Sequence, residues 1–449
     1  MQTKLIFLLF TISIFWSFIL ISPIRFTMNI GSSEMRETDF LIILLVINWF
    51  FMRGNNFSKD IHSLIFALVG ILIIPIFIAI FDGKNMNLIL RDIRTPLYYL
   101  AMIPLASFFR ERDNINNFLK LIIITGIIGL SIGIFRWLVI GGVDIYGRTR
   151  FAFGGVDSVV WLCFLCIAYL LFQKKAKYYR AAIIITIICL IYIFLANDSR
   201  STYLGTFAGL IFLFMVNRHI KKEMLLSKKF QPKSKVLRNL LLLLIIIGST
   251  INIIVISFED VFLEISKSNN VVRRLYSLYN PKVDEMGFAN REDRMLAVSY
   301  AYDLATVNYG LGYGYGDNTF VKLDDEETRR IITGNEIADN PGNLIEGLLL
   351  FHNSYAWSLA RLGLWLSIIF FIAILKLILR AHKVIYENEN QFDRLVLSGS
   401  VAFAIYTLVS GFGGGGFFDY MGTGMVPWLF CLAILTSCSE QNQKKISDS

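Results

Sequence analysis

Ile183-Ile184-Ile185-Thr186-Ile187-Ile188-Cys189-Leu190-Ile191-Tyr192-Ile193-Phe194-Leu195-Ala196 runs straight into Asn197-Asp198-Ser199-Arg200-Ser201, and a second apolar stretch follows at once. An apolar run near the length of a bilayer core reads as a membrane helix. The polar pentapeptide then marks a membrane surface at which the chain turns back. Phe351-His352-Asn353-Ser354-Tyr355 repeats the arrangement about 150 residues later, opening another apolar span. Between the two lies the one long hydrophilic stretch of the chain, 258–352.

The same reading extends outward along the whole sequence. Hydrophobic residues make up 55% of the 449, charged residues 17%, and the mean hydropathy is +0.59. That balance is far from the soluble one and places the chain among integral membrane proteins. Twelve spans are expected, at roughly 4–23, 39–52, 62–81, 95–109, 117–140, 155–173, 180–197, 200–217, 238–258, 353–379, 395–412 and 420–438. The fold class is therefore an all-α polytopic membrane protein, a single integral membrane domain over 1–449. Residues 180–380 form the part that carries the candidate chemistry.

Basic residues set the expected orientation. Alternate connections hold Arg53 and Lys59, then Arg110 and Arg112, then Lys174, Lys175, Lys177 and Arg180, and then the segment 218–238 with eight Lys/Arg. Arg380, Lys383, Lys444 and Lys445 continue the series. By the positive-inside rule these face the cytoplasm, as do both termini. The connections 24–38, 82–94, 141–154, 258–352 and 413–419 then lie on the outer, periplasmic face. No cleavage site follows the first span, which is expected to be retained as a helix.

The net charge of +9 is unevenly distributed. Segment 258–352 has 16 Asp/Glu against 9 Lys/Arg, so the outer loop is acidic while the cytoplasmic face is basic. Nucleic acid is a poor partner for that pattern, and the basic loops are explained by topology and anionic membrane lipid. The five cysteines all fall in or at the ends of apolar spans. Cys163 and Cys166 have CxxC spacing, which in a membrane helix puts two small apolar side chains on one face. No internal repeat is visible, and the spans show no acidic residue near their midpoints, both unlike coupled transporters.

Within the loop, Leu296, Val298, Tyr302, Ala305 and Tyr309 recur mostly three or four residues apart, predicting an amphipathic helix over 291–309. Gly310-Leu311-Gly312-Tyr313-Gly314-Tyr315-Gly316 is expected to end it in a flexible turn. Those glycines follow a helix rather than a strand and lack dinucleotide spacing. Segment 321–343 is acidic and expected to be mobile.

Arg200 opens a helix, where a cation opposes the positive end of the macrodipole. An anion held there would offset the cost, since helix N-terminal amides and arginine both bind phosphate. Ser199 or Asp198 can cap the same helix. A snorkelling anchor at a span end is the alternative reading of Arg200. His352 precedes the tenth span, with Asn353 and Ser354 available as caps. A helix N-terminus and nearby arginines disfavour imidazolium, leaving the neutral form that a general base needs. An interfacial His packed on Tyr355 and Trp357 is the alternative. Arg291 and Arg294 start the loop helix, and Arg148 and Arg150 form a third outer basic cluster. A polyanionic headgroup such as pyrophosphate would suit all of them. No metal site and no cofactor are implied, because the loop has one His and no Cys.

At these residues the chain resembles the O-antigen ligase and O-antigen polymerase superfamily of bacterial membrane glycosyltransferases, which are GT-C-like in fold. The resemblance rests on Asp198-Ser199-Arg200-Ser201, on Arg294 before Gly312-Tyr313-Gly314-Tyr315-Gly316, and on His352-Asn353-Ser354-Tyr355 followed by Leu362-Gly363-Leu364. It implies an undecaprenyl-pyrophosphate-linked glycan as donor and a sugar hydroxyl as acceptor, at the periplasmic face of the bacterial inner membrane. Arg200 and Arg294 would hold the pyrophosphate and His352 would take the acceptor proton, making these three the catalytic set. Arg291, Arg148, Arg150, Asn353 and Ser199 would bind substrate. The chain departs from the family at Val298, where an aromatic residue is usual, and at Tyr309, where a proline is. Arg291 therefore stays an alternative to Arg294.

The expectation is a polymerase, whose acceptor is a lipid-linked repeat unit, favoured by the Arg148/Arg150 pair and the acidic loop. A chain-length regulator is a possible partner. An O-antigen ligase acting on lipid A-core is the alternative, and a lipid-linked oligosaccharide flippase the second.

Overall fold

The computed structural model describes residues 27–30, 33–36, 59–84, 112–135, 143–145, 148–150, 156–172, 178–196, 200–226, 298–299, 301–316, 354–388 and 390–412, with scattered positions between 86 and 100. The expected spans 4–23, 39–52, 238–258 and 420–438 lie outside the described residues, as does the segment 321–343.

Among the described residues, seven long α-helices carry the bundle. They are α1 (Lys59–Phe81), α2 (Arg112–Phe135), α3 (Val156–Phe172), α4 (Tyr179–Ile191), α5 (Arg200–Leu226), α6 (Ser354–Glu387) and α7 (Gln391–Ser410). Each overlaps an expected span, with α5 and α6 running nine and eight residues beyond the expected ends at 217 and 379. Among the described residues α1, α2, α6 and α7 are long and apolar enough to cross a membrane. The protein is a multi-pass, helical membrane protein. Two short antiparallel hairpins stand in connections expected as loops: β1 (Thr27–Ile30) with β2 (Ser33–Arg36), and β3 (Val143–Ile145) with β4 (Arg148–Arg150). A further difference lies after α1. Backbone at 86, 89, 90, 92 and 93 is already helical, inside the expected loop 82–94.

The outer helices expose one apolar face and bury the other. On α1, Phe66, Ile73, Phe77 and Ile80 recur at helical spacing and are exposed, while Leu64, Leu68, Ile71 and Ala79 are buried. With no water in the hydrocarbon core, an apolar exposed stripe is the stable arrangement. Helix α7 is the most enclosed and acts as the central post. Asn390 caps it, its side chain accepting from the amides of Phe392 and Asp393 at 2.9 and 3.3 Å. Gly205 and Gly209 of α5 sit where a Cβ would meet Tyr406 and Ala402, so the backbones approach closely and run antiparallel. Trp161 of α3 stacks on Phe403 of α7, centroids 5.2 Å apart.

Those contacts bring several helix ends to one end of the bundle. Ser354 N–H donates to the Gly411 carbonyl at 2.9 Å, and Tyr355 Oη to that of Leu408 at 2.9 Å. Tyr406 Oη donates to Asp157 Oδ1 at 2.7 Å, placing the start of α3 there too. The start of α5 joins them, because Gly205 faces Tyr406.

Candidate active site

The glycine turn 310–316 organises this end. It does not hang free as the expected flexible turn; it is wedged between α1 and α6. Proline and glycine create its two sockets. Pro75 has no N–H, so the Ile71 carbonyl loses its helical donor; Tyr315 Oη donates to that carbonyl at 2.5 Å. Tyr315 N–H donates to the Pro75 carbonyl at 3.3 Å.

In α6, Gly363 has φ 74° and ψ 179°, which breaks the helix into two pieces. Continuous helix would pair the carbonyls of 360 and 361 with the amides of 364 and 365. Instead Tyr313 N–H donates to the Ala360 carbonyl at 2.9 Å and Gly314 N–H to that of Arg361 at 3.2 Å. Gly312, at φ 79°, lies directly against Gly363 and Leu362, a contact that no side chain could share. Ser358 and Ser367 hydroxyls share a hydrogen bond of 2.9 Å across the break.

A charged core lies beneath the turn. Arg361 Nη2 is 3.3 Å from Asp92 Oδ2, and the two side chains are 2% and 0% exposed. Gly316 N–H donates to the same Asp92 oxygen at 3.1 Å. The Tyr315 ring stacks on Trp357, centroids 6.1 Å apart. Burial, together with the Asp92 charge, holds the Tyr315 phenol well above its ordinary range, opposed in part by Arg361. At the rim Lys84 ion-pairs with Asp82 at 3.6 Å, lies 3.7 Å over the Tyr313 ring and donates to the Tyr313 carbonyl.

The helical residues before the turn pack on α6. Ala301 and Leu304 form a small buried cluster with Ala356 and Ala360, with Val298, Tyr313 and Leu359 against it. The expected amphipathic helix is present over its described part, with a corrected face. Tyr302 and Tyr309 are exposed, the latter almost completely, while Ala301, Leu304 and Ala305 are inside.

The candidate residues distribute as follows. Arg200 is the first residue of α5. Arg148 and Arg150 are the ends of β4, paired with Ile145 and Val143, and β4 is followed six residues later by α3. His352, Asn353, Ser199, Arg291 and Arg294 lie outside the described residues. Four are nonetheless chain neighbours of described elements: Ser199 directly precedes α5, His352 and Asn353 directly precede α6, and Arg294 stands seven residues before Ala301. Arg361, Asp92 and Lys84 were not singled out from sequence, and Tyr315 only as part of the glycine turn. Arg361 carried a legible signal, being a cation inside the expected span 353–379, where charge is costly and usually functional. Asp92 carried none, because its partner is far away in sequence.

Residues 185–371 match the family described as O-antigen ligase. That segment begins in α4 and ends in α6, and takes in Arg200, the glycine turn and His352. Residues 185–371 belong to the O-antigen ligase and polymerase superfamily. No curated relative matches the chain. The O-antigen ligase domain thus holds the start of α5, the packed turn 310–316 and the broken half of α6. Asp92, which the Arg361 of this domain engages, comes from outside it.

Proposed function

We propose that the protein is an O-antigen polymerase, moving a glycan from undecaprenyl pyrophosphate to a hydroxyl of a lipid-linked repeat unit at the periplasmic face of the inner membrane. The observation that supports glycan transfer of the ligase or polymerase type is the family match over 185–371, which includes all three motifs. The convergence of the starts of α3, α5 and α6 at one end of the bundle supports it. Helix N-termini present free amides and a positive dipole end, which suit a pyrophosphate.

In the proposed reaction the acceptor oxygen attacks the anomeric carbon as the bond to pyrophosphate oxygen breaks. His352 takes the hydroxyl proton, and undecaprenyl pyrophosphate leaves with the bonding electron pair. Arg200 and Arg294, with Arg291 as the alternative to Arg294, stabilise the charge that builds on the leaving group. In-line displacement inverts the anomeric configuration. Arg148, Arg150, Ser199 and Asn353 line the substrate site. Membrane lipid surrounds it, and a chain-length regulator is a partner outside it.

The Arg148 and Arg150 pair, together with the acidic composition of 258–352, favours a lipid-linked, anionic acceptor and hence the polymerase over the ligase. A deletion strain decides between them. A lost polymerase leaves lipopolysaccharide as core plus one repeat unit, because ligation of a single unit continues. Bare core with long polymer accumulating on the lipid carrier would establish the ligase instead. Transfer activity absent from purified protein, with lipid-linked units trapped on the cytoplasmic face, would establish the flippase.

A further inference from the structure

We infer that the buried Asp92–Arg361 ion pair is a positioning device for the transfer reaction, setting the half-helix 354–362 that follows His352 against the segment that follows Arg294. This rests on the site reading above and adds two residues to it. The half-helix is short and severed at Gly363, so backbone continuity with the rest of α6 does not orient it. What orients it is a ring of specific contacts. Its start is tied to Leu408 of α7 and to Gly411, which caps that helix. Its end is tied to the turn by Ala360 and Arg361 carbonyls. Its flank meets Ala301 and Leu304.

Asp92 joins these parts at one atom. Its Oδ2 receives both the Gly316 amide from the turn and the Arg361 guanidinium from the half-helix. The turn ends the segment that begins at Arg291 and Arg294, while the half-helix begins next to His352. A shift in this junction therefore moves the half-helix relative to the turn, the two described parts that adjoin the candidate base and the candidate phosphate holder in the chain. Neither Asp92 nor Arg361 touches the reacting groups in this scheme; both act through others. A small misplacement of a base lowers the chemical step and leaves ground-state binding nearly intact.

The test uses full-length purified protein, with lipid-linked glycan extracted from the deletion strain as donor and acceptor. Arg361→Ala, Arg361→Lys, Asp92→Asn and His352→Ala are compared per folded molecule. A second readout, independent of activity, is disulfide formation in the Ala301→Cys/Ala356→Cys pair. Arg361→Ala is expected to lower kcat tenfold or more with KM within twofold, and to slow cross-linking. Arg361→Lys should restore most of both. Where Arg361→Ala does not fold, Asp92→Asn, nearly isosteric, carries the same expectation. Wild-type kcat and cross-linking in folded Asp92→Asn or Arg361→Ala, with His352→Ala inert, would overturn the positioning role and leave the site reading standing. Wild-type transfer by His352→Ala would overturn the site reading itself.

Discussion

Tyr315, a residue of the hydrophilic segment, donates its hydroxyl proton to the carbonyl of Ile71 inside a membrane helix, 244 positions away in the chain. The bond exists because Pro75 cannot supply the helical amide. One proline thus creates an acceptor in the bundle, and one tyrosine from the outer segment answers it.

Removing that hydroxyl should be expensive only while the proline remains. Tyr315→Phe keeps the stacking on Trp357 but leaves a buried carbonyl unpaired, a cost of about 1–3 kcal/mol. Pro75→Ala restores an amide for Ile71, so Tyr315→Phe should cost much less in that background. Thermal unfolding in detergent measures the cycle; additive effects would refute the pairing. The titration has a defined sign as well. Because the phenol is raised in the fold, its contribution is present below its unfolded pKa of about 10 and lost as pH rises above it. The wild type should therefore lose more stability than Tyr315→Phe between neutral and strongly alkaline pH.

Two glycines of similar backbone angle should respond differently to alanine. Gly83 has φ 66° with open space at its Cβ position, so Gly83→Ala should cost only the left-handed penalty of about 1–2 kcal/mol. Gly312 has φ 79° and lies against the backbone of Leu362 and Gly363, so Gly312→Ala adds displacement of the turn to the same penalty. Gly312→Ala is expected to lower folded yield sharply and Gly83→Ala slightly. Equal effects would show that the turn does not need its close contact with α6.

Charge removal in the core should be more damaging than on an exposed helix face. Arg361→Ala leaves Asp92 buried without its guanidinium, at a cost of about 3–5 kcal/mol. Lys383→Ala, which removes an exposed pair with Glu387, should fall within measurement error. Melting temperatures of the two variants check the contrast.

Arg200→Ala, Arg294→Ala and His352→Ala should each lower glycan transfer roughly a hundredfold or more at unchanged protein level. Lysine at either arginine should rescue only in part, since it keeps charge but loses the bidentate fork. Arg291→Ala run beside Arg294→Ala identifies which loop arginine serves. Transfer should persist in excess chelator; loss of activity with rescue by a divalent ion would remove the arginine-only scheme.

Cysteine labelling at Thr328 and Ser234 checks the proposed orientation. Position 328 should react with an impermeant reagent from outside the inner membrane and position 234 should not. Labelling of position 234 from outside would invert the topology and move the site to the cytoplasm.

The described helices were legible in the sequence because each must hide its backbone from lipid behind an unbroken apolar run, a local property that needs no partner. The superfamily was legible because two of its short motifs, around Arg200 and His352, sit where polarity interrupts such runs. The face of the 291–309 helix was misread at Tyr302 and Tyr309, since spacing shows that a stripe exists but not which neighbour it meets. The turn 310–316 looked like a flexible end because its glycines have no side chains to bury. Only the tertiary structure shows that they permit close backbone contact with a helix broken at Gly363. Asp92 and Arg361 were decided in the same way: 269 residues separate them, and a buried ion pair is defined by a distance in space that no local pattern encodes.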